Sequence, residues 1–302
     1  MTSKMYSTEF DQRGLTLIEL MVAMIIGLVV VGAVMINYIG TGASSRQQSA
    51  YSQMAEDAQI ALSMIARDVA SAGYAEPMGT QVIGTTTVFV RSYAMGSPNQ
   101  PIFGCSTPFG SPTTGASVSC DAAGSTLTHA IAVVYEANTQ NTYVNSSGEP
   151  TDCLGMAIGT SVYPGTTYSY AIAKNRYFIR TAAGSTTPEL YCSAAGGQSQ
   201  GLVENVEQLL IWYGEALAAA PKQPVRFVKA DSVVDWNNVV SVRLCIVMRS
   251  ADAVLNREDK LAVSGGQLQY RNCDRNMITI DDGRARRAYY TTVSLRSRAA
   301  YN

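Results

Sequence analysis

Apolar residues crowd the first forty positions of the chain. From Leu20 to Ile36, seventeen consecutive residues are aliphatic, methionine, alanine or glycine, and the segment extends from Leu15 to Ile39. At ~1.5 Å per residue its length is about 37 Å as a helix, enough to cross a hydrocarbon core of about 30 Å. Glu19 is the only charge between Leu15 and Ser45. The pattern then changes without a break. Tyr51, Met54, Ala55, Ala58, Leu62, Ile65 and Val69 recur at spacings of three and four, one stripe of an amphipathic helix. Gln53, Glu56, Asp57, Arg67 and Asp68 fill much of the other face. Gly40 and Gly42 weaken the join by roughly 1 kcal/mol each, which predicts a bend or local melting there. Gly73 ends the helix and Pro77 blocks its continuation. One long helix is expected, half facing lipid and half packed on a soluble domain.

Beyond Tyr74 the pattern turns to β. Val242, Leu244, Ile246 and Met248 alternate with Arg243, Cys245, Val247 and Arg249, the signature of a half-buried strand. Ile131, Val133 and Tyr135 predict a second strand, Tyr177-Phe178-Ile179 a third, and Tyr289 to Leu295 a terminal one. Between Met78 and Thr128, abundant Gly, Ser, Thr and Pro predict loops and short strands.

Composition narrows the chemistry. The 302 residues carry 22 Lys+Arg against 23 Asp+Glu, a net charge of −1, so no global field steers the chain onto nucleic acid. A single histidine, His129, excludes zinc sites that need two or three imidazoles. There is no G-x-S-x-G elbow, Walker loop or G-x-G-x-x-G. His129, in Thr126-Leu127-Thr128-His129-Ala130, reads as structural. Asp281-Asp282-Gly283 reads as a plain turn rather than a calcium loop. No catalytic residue, metal or cofactor is expected, and the chain is not read as an enzyme.

An ordinary secretory signal does not fit the N-terminus, because the apolar stretch is long and no small-residue cleavage site follows it. The leader MTSKMYSTEFDQRG sets Lys4 and Arg13 against Glu9 and Asp11, a slight bias toward a cytoplasmic N-terminus. Glu19 stands out against this background. A carboxylate costs about 2.5–3.5 kcal/mol at the bilayer centre and less near an end. Two explanations stand side by side: Glu19 reaches interfacial water, or a cation from another molecule meets it. A cut after Gly14 would create such a cation, since every copy would begin with a free amine at Leu15. A pair shielded from water would fix register between parallel helices.

These residues carry a family resemblance. Arg13-Gly14-Leu15-Thr16-Leu17-Ile18-Glu19-Leu20 resembles the class III signal of type IV pilins and pseudopilins. The resemblance implies cleavage between Gly14 and Leu15 by prepilin peptidase, N-methylation at Leu15, and an assembly role for Glu19. The family usually has phenylalanine where this chain has Leu15. Three further segments resemble PilW-type minor pilins: Met64 to Tyr74, Gly201 to Leu210 with Trp212-Tyr213-Gly214, and Trp236 to Leu244. J-type pseudopilins of type II secretion share much of this plan.

The expected fold class is therefore α+β and pilin-like, a long N-terminal helix packed on an antiparallel sheet. Four segments are expected: a leader at 1–14, a transmembrane and filament-core helix at 15–41, the amphipathic half at 42–74, and a periplasmic β-rich domain at 75–302. The resemblance implies a minor pilin that joins other minor pilins and the major pilin, primes pilus assembly and helps present a large tip adhesin, with effects on twitching motility and adhesion. It would sit in the inner membrane before entering the fibre near its tip. Alternatives are a J-type pseudopilin and a DNA-binding subunit. The latter would use Arg284, Arg286, Arg287, Arg296 and Arg298 with Tyr289 and Tyr290, although nucleic acid is not the expected partner.

Cys105, Cys120, Cys153, Cys192, Cys245 and Cys273 all follow the apolar segment and form no CxxC. An even number on an exported side predicts disulfides, each worth about 2–4 kcal/mol. Sequential pairing is expected among the 15 connectivities open to six cysteines.

Overall fold

A computed structural model describes residues 14, 16–83, 86–91, 100–110, 118–162, 167–194, 196–217, 220, 222–255 and 267–297. Leu15 and residues 1–13 of the expected leader lie outside the described residues, as does Arg298. The chain forms two units, residues 1–49 and 50–302.

Helix α1 runs from Leu17–Ser71 and is shared between the two units. The glycines Gly40 and Gly42 are helical, so the local melting expected there does not occur. In the first unit the apolar side chains are bare: Leu17 is 79% exposed and Ile36 75%. This stretch is long and apolar enough to span a membrane.

In the second unit, Met54, Ala58, Ala61, Leu62, Ile65, Asp68 and Val69 of α1 are buried. Two features differ from the expected stripe. Ala55 is exposed, and Asp68, expected on the polar face, is inside. The buried stripe drifts because 3.6 residues per turn bring 58, 61, 65 and 68 onto one line. Gly73 closes the helix with φ +73°, and its N–H donates to the Val134 carbonyl at 2.8 Å. A side chain there would also collide with Pro101, so glycine serves both the turn and the close approach.

The strands follow in chain order. β1 is Pro77–Ile83, β2 Thr86–Arg91, β3 Ile102–Cys105, β4 Ala130–Ala137 and β5 Thr160–Val162. β6 is Ser169–Thr181, β7 Pro188–Ser193, β8 Ser199–Glu204, β9 Val206–Glu215 and β10 Arg226–Val228. β11 is Val239–Ala253, β12 Leu268–Arg271, β13 Met277–Ile280 and β14 Arg284–Ser294. One sheet has the order β3-β4-β6-β7-β8, with β5 also on β6, and a second has β10-β9-β11-β14. β1–β2 and β12–β13 are separate hairpins, and every named pairing is antiparallel.

The main core lies between α1 and the inner faces of both sheets. Ile65, Tyr135, Tyr177, Leu209, Ile211, Leu244 and Ile246 belong to it. The chain passes from β8 to β9 at Asn205, whose φ of 62° is one that asparagine tolerates better than most residues. The two sheets meet again where Leu127 to His129 lies along β9. There the Leu209 N–H donates to the Leu127 carbonyl at 3.1 Å, and the His129 N–H donates to the Leu209 carbonyl at 2.7 Å.

β11 departs from simple half-burial. Cys245 and Val247, on the face opposite α1, are buried with Leu210, Tyr270 and Cys273. The disulfide Cys245–Cys273 fixes the β12–β13 hairpin over that face, so the strand is covered on both sides where the hairpin lies.

Candidate functional site

The N-terminal site begins at a helix cap. Thr16 precedes α1, and its Oγ1 accepts the Glu19 N–H at 3.3 Å, while the Thr16 carbonyl accepts the Leu20 N–H at 3.2 Å. Thr16 to Glu19 therefore has the T-x-x-E form of a capping box, with the Thr side chain half of the box in place. Glu19 stands in the first turn, where a negative charge faces the positive end of the helix dipole. The cap made by Thr16 comes from local chemistry alone, and the T-x-x-E spacing is its signal in the sequence. Gly14 lies just ahead of the cap in non-helical backbone. Behind it the exposed apolar helix continues with no further charge before Arg46. The arrangement puts non-helical backbone at Gly14, a carboxylate one turn into a helix, and an exposed apolar surface in close succession.

A second polar centre joins the helix to the sheets. Asp68 is 1% exposed. Its Oδ1 accepts from the Tyr135 hydroxyl at 2.9 Å, and its Oδ2 accepts from the Tyr177 hydroxyl at 2.7 Å and the Asn175 amide at 2.6 Å. Burial pushes the carboxyl up, against the three hydrogen bonds that pull it down. Burial likewise raises Tyr135 and Tyr177, so both hydroxyls keep their protons and remain donors. Asn175 Oδ1 in turn accepts the Cys153 N–H at 3.3 Å, beside the Cys153–Cys192 disulfide. Arg67 lies 3.8 Å over the Tyr143 ring. This centre locks α1 to β4 and β6 and has no feature of a reactive site. It was hidden because a charged residue beside Arg67 reads as surface, although Asp68 is three residues from the core residue Ile65.

His129 is fully buried. Its Nδ1 accepts the Ile211 N–H at 3.0 Å, which places the ring proton on Nε2. Burial drives its pKa down to about 4, with Lys229 adding to the effect. It bonds to a β9 backbone amide at the seam between the two sheets, the structural role expected for it.

Two of the C-terminal arginines, Arg284 and Arg286, are engaged within the domain. Arg286 donates to Glu207 at 2.6 and 2.8 Å and to Asp282 at 2.7 Å twice. Arg284 donates to the Ser250 carbonyl at 2.9 Å and to the Ala251 carbonyl. Arg286 holds the Asp282 carboxyl down to about 2. Asp282 is thus an ion-pair partner in the turn closed by Gly283, at φ +67°. Among the described residues no group of three or more His, Cys, Asp or Glu could hold a metal ion.

The six cysteines are paired in sequential order. Cys105–Cys120 ties β3 to the following loop, Cys153–Cys192 ties a loop to β7, and Cys245–Cys273 ties β11 to the hairpin.

Comparison with known proteins adds two family matches. Residues 10–35 match the Prokaryotic N-terminal methylation motif, which spans Gly14, Leu15 and Glu19. Residues 176–297 match Type IV Pilus-assembly protein W, and that span holds Gly201 to Gly214 and Trp236 to Leu244. No curated protein matches the chain. Among solved structures, a type IV-like pilin from Thermus thermophilus is similar at 12% identity and a TM-score of 0.36, covering 82% of this chain and 98% of its own.

Proposed function

We propose that the chain, a PilW-like type IV pilin, works as a minor pilin: a structural, non-enzymatic subunit that joins a priming complex and enters the filament in low copy. The observation that carries this reading is the order of parts at the N-terminus. Gly14 sits at the end of a polar leader, Thr16 caps the helix, Glu19 occupies its first turn, and an exposed apolar surface follows.

In this reading prepilin peptidase cuts between Gly14 and Leu15, and Leu15 becomes the methylated N-terminus. The new amine lies four residues before Glu19 of its own chain. In a packed bundle of parallel helices, the amine of one subunit neutralises the Glu19 carboxylate of its neighbour. Away from water such a pair sets register, since a slipped helix would leave both charges unpaired. The segments follow accordingly: 1–14 is removed, 15–41 spans the inner membrane and later the filament core, 42–74 packs on the globular domain, and 75–302 folds in the periplasm. Oxidation there suits the three disulfides. The partners in this reading are other minor pilins, the major pilin and a large tip adhesin, with twitching motility and attachment as the cellular outcome.

Mass spectrometry of filaments sheared from cells tests this. A peptide beginning at methylated Leu15, present at low abundance beside a major pilin, is the expected result. A processed form confined to the inner membrane would instead assign the chain to a J-type secretion pseudopilin. An uncleaved chain retaining Gly14 would overturn the reading.

A further inference from the structure

The two strands that flank β11 in the four-stranded sheet treat their outer edges differently. On β9, the amides of Leu209 and Ile211 point away from β11 and are taken up by Leu127 and His129. On β14, the Leu295 N–H donates to the Val240 carbonyl at 2.9 Å and the Ala285 N–H to Ser250 Oγ at 2.9 Å. The register from Arg286 to Ser294 against β11 has no irregularity. Odd-numbered residues of β14 therefore bond inward to β11, and the amides and carbonyls of Ala288, Tyr290, Thr292 and Ser294 point outward. Among the described residues nothing pairs with that row, and β14 ends the sheet order. It also has no proline and no bulge between Arg286 and Ser294, devices by which proteins usually blunt an open edge.

The surface beside this edge is basic. A cleft of about 670 Å³ is lined by Trp212, Arg243, Asp274, Arg275, Tyr290 and Thr292, among others. A second, of about 450 Å³, lies between β12 and β14 and is lined in part by Arg271, Arg275, Arg287 and Tyr290. Arg275 and Tyr290 belong to both. Arg243, Arg271, Arg275 and Arg287 are exposed, and among the described residues none has a carboxylate within ion-pair reach. The one acid in the first cleft, Asp274, pairs with Lys229 at 3.6 Å.

Arg275 adds an independent sign. It sits at φ +66° in the tight turn between β12 and β13, a backbone region that favours glycine or asparagine. The turn is held to β14 by the Tyr290 hydroxyl, which donates to the carbonyls of Asn272 at 3.3 Å and Cys273 at 3.2 Å. An arginine is thus maintained at a backbone position that costs about 1–3 kcal/mol, with its guanidinium between the two clefts.

We infer that the β14 edge accepts an extended acidic segment of a partner protein, which adds a strand to the sheet while its Asp or Glu side chains enter the arginine clefts. Backbone pairing to Ala288, Tyr290, Thr292 and Ser294 supplies the docking ladder, and the four arginines select the charge. Alternation in the added strand sends every second side chain to the cleft face, so the segment carries its acids at every other position. No residue of α1 lines either cleft, and the test does not depend on filament incorporation.

The test uses the full-length protein in detergent micelles and a ten-residue peptide alternating Thr with Glu, followed by fluorescence anisotropy. The peptide in which Lys replaces Glu is the control. The acidic peptide should bind at least about tenfold more tightly than the control, as expected for charge-assisted hydrogen bonds. Hydrogen exchange should slow at the amides of Ala288, Tyr290, Thr292 and Ser294. Arg275→Gly should weaken binding about tenfold without lowering the thermal midpoint, because glycine relieves the backbone while removing the guanidinium. Thr292→Pro should also weaken binding, because it deletes an outward amide and leaves the β11 ladder intact. Amides already protected in the free protein would show that the chain's own residues cover the edge, overturning the inference. Binding that leaves exchange unchanged, that survives Thr292→Pro, or that a single-stranded oligothymidylate displaces at equal charge would overturn it too, pointing to nonspecific attraction of polyanions.

Discussion

The Tyr177 hydroxyl donates to Asp68 Oδ2 at 2.7 Å across 109 positions of sequence, joining the long helix to the middle of the six-stranded sheet. Tyr135 and Asn175 complete the set of donors. A buried carboxylate is costly unless its lone pairs are occupied, and here three donors occupy them.

Asp68→Ala should therefore destabilise the globular domain by about 3–5 kcal/mol, since it strands three buried donors. Thermal or urea unfolding of the purified protein measures this. A loss below about 1 kcal/mol would mean that water replaces the carboxylate and that Asp68 is not the lock between helix and sheet.

His129 predicts a dependence on acid. Its folded pKa of about 4 lies below the ordinary 6.5, so between these values the unfolded chain binds more protons than the folded one. Its contribution is whole above pH 6.5 and declines as pH falls toward 4, by about 3 kcal/mol in total. His129→Asn keeps an acceptor for the Ile211 N–H and does not titrate. Unfolding free energies between pH 7 and 4 should fall less steeply for this variant than for the natural chain; parallel curves would remove His129 as the cause.

Glu19 can be dissected by charge. Gln at this position retains the capping-box form but not the carboxylate. If the carboxylate meets a neighbour's amine, Glu19→Gln and Glu19→Ala should both be cleaved normally and both be depleted from sheared filaments. Normal incorporation of Glu19→Gln would reduce Glu19 to a helix cap.

The Cys245–Cys273 bond closes a separation of 28 residues and should contribute about 3–4 kcal/mol. Replacing both with Ser should lower the unfolding midpoint and speed hydrogen exchange in β12 and β13, whose contact with β11 depends on that bridge. Unchanged exchange in the hairpin would show that the packing of Tyr270 on Leu210 and the Tyr290 hydroxyl hold it without the bridge.

Arg286 is largely shielded from solvent, with its side chain 10% exposed, and it balances Glu207 and Asp282 together. Arg286→Ala should cost about 2 kcal/mol in stability and release Asp282 from its pKa of about 2 toward 3.8. Retention on single-stranded DNA at low salt should not change, because this guanidinium is already spent on two carboxylates; a clear loss of retention would restore the C-terminal arginines as a nucleic-acid surface.

Features that depend on neighbours along the chain were legible before any fold was known. The apolar run from Leu15 to Ile39, the Thr16–Glu19 spacing, the stop at Gly73 and the alternation from Val242 to Met248 are local, because helix and strand periods place residues a few positions apart on a common face. The resemblance of Gly14 to Leu20 to a prepilin signal is local in the same way. Long-range packing set the burial of Asp68, whose donors lie 67 to 109 positions away, and the pairing of Arg286 with Glu207 across 79. The same holds for the covering of Cys245 by a distant hairpin and for the open edge of β14. A sequence pattern records which face a side chain takes, but the partner on that face, and whether a strand has a neighbour at all, is set by long-range packing. Polar residues are read most poorly for that reason: an acid or an arginine looks the same in a string of letters whether water, a counter-ion or nothing at all awaits it in the fold.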